Sequence, residues 1–227
     1  YYYKDLESVI GKETIFNGIC NPRAVDGNAG DPNLAKPTCT IGGQEGVLVN
    51  RISPVNLAGG TIEGLELAFQ HRFKKLPSPF KHMGITTSYA YQNGSRDEFY
   101  TTPAFLRGDG EGEEFPLNFV GLSENSYNFQ IWYEKKPWQA RLKYSYRDSF
   151  LVSESIDIAN GQPLYTDDWG SLNGSISYAI NKTFTVTLQG VNLTKERKVQ
   201  PAVFDSGPIA RMMDADRRIT LGIRGRF

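Results

Sequence analysis

Apolar and polar side chains alternate with a period of two along most of the chain. Near its end Ile219, Leu221, Ile223, Gly225 and Phe227 share one face, and Arg218, Thr220, Gly222, Arg224 and Arg226 share the other. The same division sets Tyr127, Phe129, Ile131 and Tyr133 against Asn128, Gln130, Trp132 and Glu134, and Leu142, Tyr144 and Tyr146 against Arg141, Lys143 and Arg147. Leu65, Leu67 and Phe69, Ile85 and Tyr89, Ile176 and Tyr178, and Val186 and Leu188 repeat it. This is the period of strands with one apolar face. About eight strands are expected, over 1–10, 46–74, 83–93, 121–135, 138–149, 166–180, 183–194 and 214–227. The second exceeds one plain crossing and holds Pro54 and Gly59-Gly60, which predicts a bulge or kink and a projection beyond the membrane.

A soluble sandwich alternates too, so the connections decide. Glu134-Lys-Lys-Pro137 and Asn181-Lys182 are tight turns, whereas 11–45, 94–120, 150–164 and 195–213 are long, polar and rich in Gly, Asp and Pro. Short turns at one end and long loops at the other are the layout of an outer-membrane barrel. Strands of about ten residues suit a tilted crossing of the hydrocarbon layer. Tyr and Trp near strand ends suit its aromatic girdles. One strand would also bury Arg141, Lys143 and Arg147 together in a dry core, at a prohibitive desolvation cost. The fold class expected is therefore all-β: a transmembrane antiparallel barrel segment. A β-sandwich binding module stands third among the readings.

Composition narrows this further. Aromatic residues make up 12% of the chain beside 23 glycines, which suits Tyr-rich strands and Gly-rich turns. Mean hydropathy is −0.42, and no apolar run approaches the length of a spanning helix. Lys plus Arg and Asp plus Glu are 25 each, giving a formal net charge of zero and no nucleic-acid partner. The chain starts on Tyr1-Tyr2-Tyr3 with no signal peptide, so either one was removed or the chain is a piece of something longer. Cys20 and Cys39 lack metal-ligand spacing and read as a disulfide on the extracellular side, with two free thiols as the alternative.

The chain resembles the C-terminal part of a TonB-dependent outer-membrane receptor. The resemblance rests on Pro54-Val55-Asn56 with Gly60-Thr-Ile-Glu-Gly-Leu-Glu-Leu67, on Ser88-Tyr-Ala-Tyr91, and on Gly121-Leu-Ser-Glu-Asn-Ser-Tyr-Asn128 with Tyr133-Glu134-Lys135. Ala140-Arg-Leu-Lys-Tyr-Ser-Tyr-Arg147, Leu188-Gln-Gly-Val-Asn-Leu-Thr194, Arg217-Arg218 and Gly222-Ile-Arg-Gly-Arg-Phe227 complete it. Within the family the likeness is to large sugar-scavenging receptors. The resemblance implies energised uptake of a scarce ligand, such as a sugar or a siderophore. It also implies a barrel of 22 strands filled by a plug that carries the TonB box.

The expected domain is residues 1–227 as the C-terminal portion of such a barrel, with the plug and the earlier strands absent. Bulky charged inward positions (Glu66, Trp132, Arg141, Lys143, Arg147, Arg224 and Arg226) suit a wider barrel than eight strands enclose. The expected partners are the plug and remaining strands in the same or a companion chain, the TonB energy-transducing complex acting through the plug, the barrel-assembly machinery and outer-membrane lipids. Localisation is expected in the bacterial outer membrane, with long loops extracellular and the C-terminus periplasmic. The alternative is a self-contained small barrel with a structural or adhesive role.

No catalytic constellation, cofactor motif or metal-ligand spacing stands out, which points away from an enzyme. His71 and His82 flank a turn with no carboxylate or Cys at ligand spacing, and Gly108-Asp109-Gly110 falls in a loop. Asp97, Tyr100, Asp109, Glu111, Glu113 and Glu114 are candidate ligand contacts in loop 94–120, because carboxylates beside aromatics suit calcium or sugar. A solvated acidic loop is the plainer reading. Asp26-Gly27-Asn28 with Asp31 lacks the final Glu of a calcium loop, and four Asn-x-Ser/Thr matches are coincidental in a bacterial barrel.

Ile219, Leu221, Ile223 and Phe227 form the expected assembly signal, on the resemblance to barrels whose last strand is read by the assembly machinery. A girdle role alone predicts that Phe227→Ala assembles normally with a modest loss of stability. The signal role predicts that Phe227→Ala accumulates unassembled in the periplasm while Tyr133→Ala does not. Pulse-labelled fractionation separates the two, and normal assembly of Phe227→Ala would reject the signal.

Overall fold

A computed structural model describes residues 1–21, 38–102, 112–156 and 162–226. The strands are β1 (Tyr2–Asn21), β2 (Thr38–Ile41), β3 (Gln44–Arg72), β4 (Met83–Arg96), β5 (Phe99–Thr101), β6 (Glu114–Pro116), β7 (Asn125–Lys135) and β8 (Trp138–Arg147). They continue as β9 (Phe150–Ile156), β10 (Gln162–Thr166), β11 (Trp169–Ala179), β12 (Phe184–Val191), β13 (Arg197–Pro201), β14 (Ile209–Asp214) and β15 (Arg218–Gly225). Among the described residues no α-helix occurs. The main sheet follows the order β1-β3-β4-β7-β8-β11-β12-β15, with β2 paired to β3. The eight strands of that path are those expected from the alternation.

The ladders between strands fix which side chains share a face. Leu67 pairs with Tyr89, Tyr89 with Tyr127, Phe129 with Tyr144, Ile131 with Leu142, Ile176 with Leu188, and Leu188 with Leu221. On the opposite face Ser88 meets Asn128, Gln130 meets Lys143, Lys143 meets Asn173, and Thr185 meets Arg224. The apolar face is open to the surroundings, with Leu67 at 55% and Leu221 at 68% exposure. This is the division of a wall between lipid and a wet lumen. Aromatic pairs mark both of its ends. Trp138 lies 4.6 Å from Tyr178 by ring centroids at the short-turn end, and Tyr127 stacks 4.8 Å from Tyr146 at the other. Trp138 and Tyr146 are separated by about 26 Å of strand, on the scale of an apolar membrane band.

The chain divides into two compact units, Glu7–Ala58 and the remainder. In the first, β2 and β3 form a hairpin through Gly42 and Gly43, whose φ values of +56° and +76° give the left-handed pair that a two-residue turn of the primed type requires. Cys20 of β1 and Cys39 of β2 form a disulfide. Here the structure corrects the expected loop 11–45: its described parts are largely strand. The Asp26–Asp31 stretch lies outside the described residues. The ladder from Gly60 to Arg72 against β4 carries no register shift.

In the larger unit the long connections are also hairpins: β5 with β6, β9 with β10, and β13 with β14. The dry core lies among them, in a cap at the loop end of the wall. Leu117 from the β4–β7 connection and Leu151 and Tyr165 from the β9–β10 hairpin form one buried cluster, and Tyr100 packs against it. Backbone bonds cross between hairpins, from Gly121 N to Leu151 O at 2.8 Å and from Val203 N to Pro163 O at 2.9 Å. Phe115 stacks on Phe204 at 5.0 Å.

Asn192 joins wall to cap. It is 6% exposed, has φ 52°, and stands where β12 gives way to β13. Its backbone N–H donates to Asn173 Oδ1 at 3.0 Å, and its Oδ1 accepts from Glu196 N at 3.0 Å. Its Nδ2 donates to the carbonyls of Glu196 and Ala215, the latter in the link from β14 to β15. Leaving such groups unpaired costs about 1–3 kcal/mol each. Asn192→Ala is therefore expected to lower stability by about 2–4 kcal/mol in urea unfolding of the micelle-refolded protein. An unchanged unfolding midpoint would refute this role.

Candidate functional site

The cap encloses a cavity of about 450 Å³ between the connections that follow β4, β8, β10 and β13. Its lining includes Glu124, Asp148, Asp167, Asp168 and Asp205, beside Phe150, Tyr165 and Ser149. Among the described residues no basic side chain lines it.

Several of these carboxylates are held in place. Asp148 Oδ2 accepts from the backbone and side-chain nitrogens of Asn125 at 2.9 and 2.7 Å. Asp168 accepts from the Tyr146 hydroxyl at 3.1 Å, and Asp205 accepts from the Ser149 hydroxyl at 2.8 Å. The Asp167 backbone N–H donates to Val199 O at 3.0 Å, fixing it between two hairpins. Burial first, then the neighbouring Asp205 and Asp168 charges, hold the Asp167 carboxyl above the ordinary carboxylate range. Burial also raises the Tyr165 phenol, with Asp205 adding to it. A site of this kind offers acceptors and two aromatic faces to a ligand that is cationic or rich in hydroxyl donors.

Two further groups brace the cap. Arg147 donates from Nε to Ser123 Oγ at 2.6 Å and from Nη2 to the Gly121 carbonyl, with its guanidinium 3.9 Å from the Phe150 ring centroid. Arg96, 1% exposed in its side chain, pairs with Glu154 at 2.6 Å and so ties the end of β4 to β9.

The sequence-derived candidates are only partly brought together. Tyr100 turns into the cap core, and burial raises its phenol. Asp97 and Glu114 are exposed, and neither they nor Glu113 line the cavity. Asp109, Glu111 and Phe227 lie outside the described residues. Ile219, Leu221 and Ile223 sit together on the apolar face of β15 at 64–71% exposure. His71 rests between Phe69 and Phe73, and His82 lies edge-on to Tyr133, a packing role for both. Among the described residues no group of His, Cys, Asp or Glu is arranged to hold a metal ion.

A two-faced antiparallel wall with short turns at one end and a hairpin cap at the other is a segment of an outer-membrane β-barrel. The family model described as TonB dependent receptor-like, beta-barrel matches residues 1–193, and the chain belongs to that family. The family is one of outer-membrane transport, not of enzymes. No curated protein and no solved structure matches the chain. Beyond residue 193 the same wall continues into β15, paired with β12 from Phe184–Gly225 to Val191–Arg218.

Because the folded chain holds the Asp167 proton to higher pH than the unfolded chain does, ionising this carboxyl weakens the fold. The cost is absent below the ordinary carboxylate range and complete above the raised value. Asp167→Asn is therefore expected to raise the melting temperature at neutral pH, with the gain shrinking as the pH falls through the carboxylate range. An equal gain at low and neutral pH, measured by thermal unfolding, would contradict this.

Proposed function

We propose that this chain forms part of the wall of a TonB-dependent receptor that takes up a scarce ligand across the outer membrane, with the hairpin cap on the outside and the short turns in the periplasm. The observation that carries the reading is the gathering of every long connection of the larger unit into one cap at one end of a two-faced wall. Energy reaches the ligand through a plug and an inner-membrane TonB complex, as the family implies. The plug and the remaining strands belong to the same or a companion chain. The cap cavity contributes to the ligand-binding surface, and its carboxylates and aromatic rings favour a cationic or hydroxyl-rich ligand such as a sugar or a chelate. Asp97, Glu113 and Glu114, with Asp109 and Glu111, all in the sequence between β4 and β7, supply further acidic contacts.

This orientation is testable because both cysteines are in the disulfide and none is free among the described residues. Cysteine is introduced singly at Ala210, exposed on β14, or at Lys182, exposed in the short turn between β11 and β12. A membrane-impermeant maleimide is expected to label Ala210→Cys in intact cells and Lys182→Cys only after permeabilisation. The reverse pattern would overturn the orientation. Release of the protein from membranes by carbonate alone would overturn the receptor reading itself.

A further inference from the structure

The tip of the β13–β14 hairpin, residues 202–207, reaches the cap cavity, and Asp205 and Ser206 form part of its lining. The base of the tip is narrow. Pro201 and Pro208 stand on its two limbs, and the Ala202 N–H donates to Pro208 O at 2.8 Å. The ladder shifts register just below, between Gln200 and Pro201, so the tip is not a continuation of the regular hairpin. Three contacts tie it to three other parts of the cap. The Val203 N–H donates to Pro163 O of β10 at 2.9 Å, beside the bridge from Ala202 to Leu164. Phe204 stacks on Phe115 of β6 at 5.0 Å, and Asp205 accepts from Ser149 Oγ, in the link from β8 to β9, at 2.8 Å.

Two features work against these contacts. Val203 has φ 78° and Ser206 has φ 64°, and the left-handed region is unfavourable for a β-branched side chain. The second feature is charge. The charged side chains that line the cavity around Asp167 all have one sign: Asp168 beside it in the chain, Asp205 from the tip, Asp148 after β8 and Glu124 before β7. Arg147 is engaged with Ser123 and Gly121 and does not line the cavity, and neither do Arg197, Lys198 and Arg211 of the hairpin. With the tip shut, burial and then the Asp205 and Asp168 charges favour the protonated Asp167 carboxyl. Opening takes Asp205 away and admits water, so the proton is held more tightly in the shut state and ionisation favours the open one.

We propose that residues 202–207 are a proton-controlled latch on the cap cavity, shut while Asp167 is protonated and released when Asp167 and Asp205 are both ionised. Asp205 is exposed, so solvent softens its repulsion of Asp167. That repulsion acts on a tip held by one backbone bridge, one side-chain hydrogen bond and one aromatic pair, against an unfavourable valine backbone. A modest charge term therefore decides its position. The use of the latch in uptake rests on the receptor reading above: the cavity stands open once Asp167 is ionised, and a cationic ligand takes the place of the proton and recloses it. The latch itself does not rest on that reading.

Double electron–electron resonance on the full receptor in mild detergent reads the position of the tip. Spin labels are placed at Ser206→Cys on the tip and at Lys182→Cys in the short turn between β11 and β12, both native cysteines being held in the disulfide. One distance is expected at about pH 4 and a second population at about pH 8, the open-to-shut ratio rising about tenfold between them. Asp167→Asn is expected to stay shut at both pH values. Asp205→Asn, whose amide oxygen still accepts from Ser149, is expected to lose much of the response. Heat-modifiable migration checks that each variant is folded. Identical distance distributions at the two pH values, or an undiminished response in either folded Asn variant, would overturn the latch. Failure of the receptor reading shows in the carbonate extraction and leaves this pH response unaffected.

Discussion

Every main-chain N–H and C=O that crosses a hydrocarbon layer must find its partner within the protein, because each unpaired group there costs several kcal/mol. Here that requirement is met sideways. The ladders β4-β7-β8-β11-β12-β15 pair each strand to its neighbour, nearly one residue to one. Side chains are then released from any duty to bury the backbone, and each face can suit its own medium. Leu67, Phe129, Leu188 and Leu221 face lipid without cost, and Lys143 and Arg224 face water without desolvation. Neither face of such a wall contains a dry core. The chain builds its only described apolar cluster, Leu117 with Leu151 and Tyr165, beyond the wall, where hairpins fold on one another.

Joining a wall of this kind to a packed cap is a problem of changing direction without stranding polar groups. Asn192 solves it at β12 and β15, its amide and backbone bonding Asn173, Glu196 and Ala215 where the ladder ends. Arg147 does the same at β8, turning an inward-facing charge into a brace for Gly121 and Ser123. Both residues belong to motifs that stand out in the sequence. Their value lies in satisfying a bend, which accounts for an Asn at a left-handed position before Leu-Thr.

The wall was almost wholly legible. A period of two over ten residues leaves little freedom in strand identity, and a one-residue slip would turn every Leu toward the lumen. The cap was not. Leu117 lies in one polar connection and Leu151 and Tyr165 in another, and no local pattern reveals that they meet. Gly42-Gly43 did carry a hairpin signal, but within a stretch whose Gly, Pro and Asn content reads as loop. Tyr100, a candidate ligand contact by its acidic company, serves the core. Asp148, Asp167 and Asp168 lie at the two ends of the β8–β11 connection and Asp205 on the β13–β14 hairpin, so their convergence on one cavity is a product of cap packing.

A net charge of zero conceals a strong sorting of charge. Carboxylates converge in the cap cavity without a basic side chain among the described lining, while segments 195–198 and 211–218 hold six cations against three carboxylates. Within a Debye length of about 8 Å such groups still act on what approaches them, whatever the total. The Lys195–Asp216 and Arg197–Asp214 pairs join the two limbs of the β13–β14 hairpin outside the cavity lining, so the excess cations and the cavity's Asp205 stand apart on one connection.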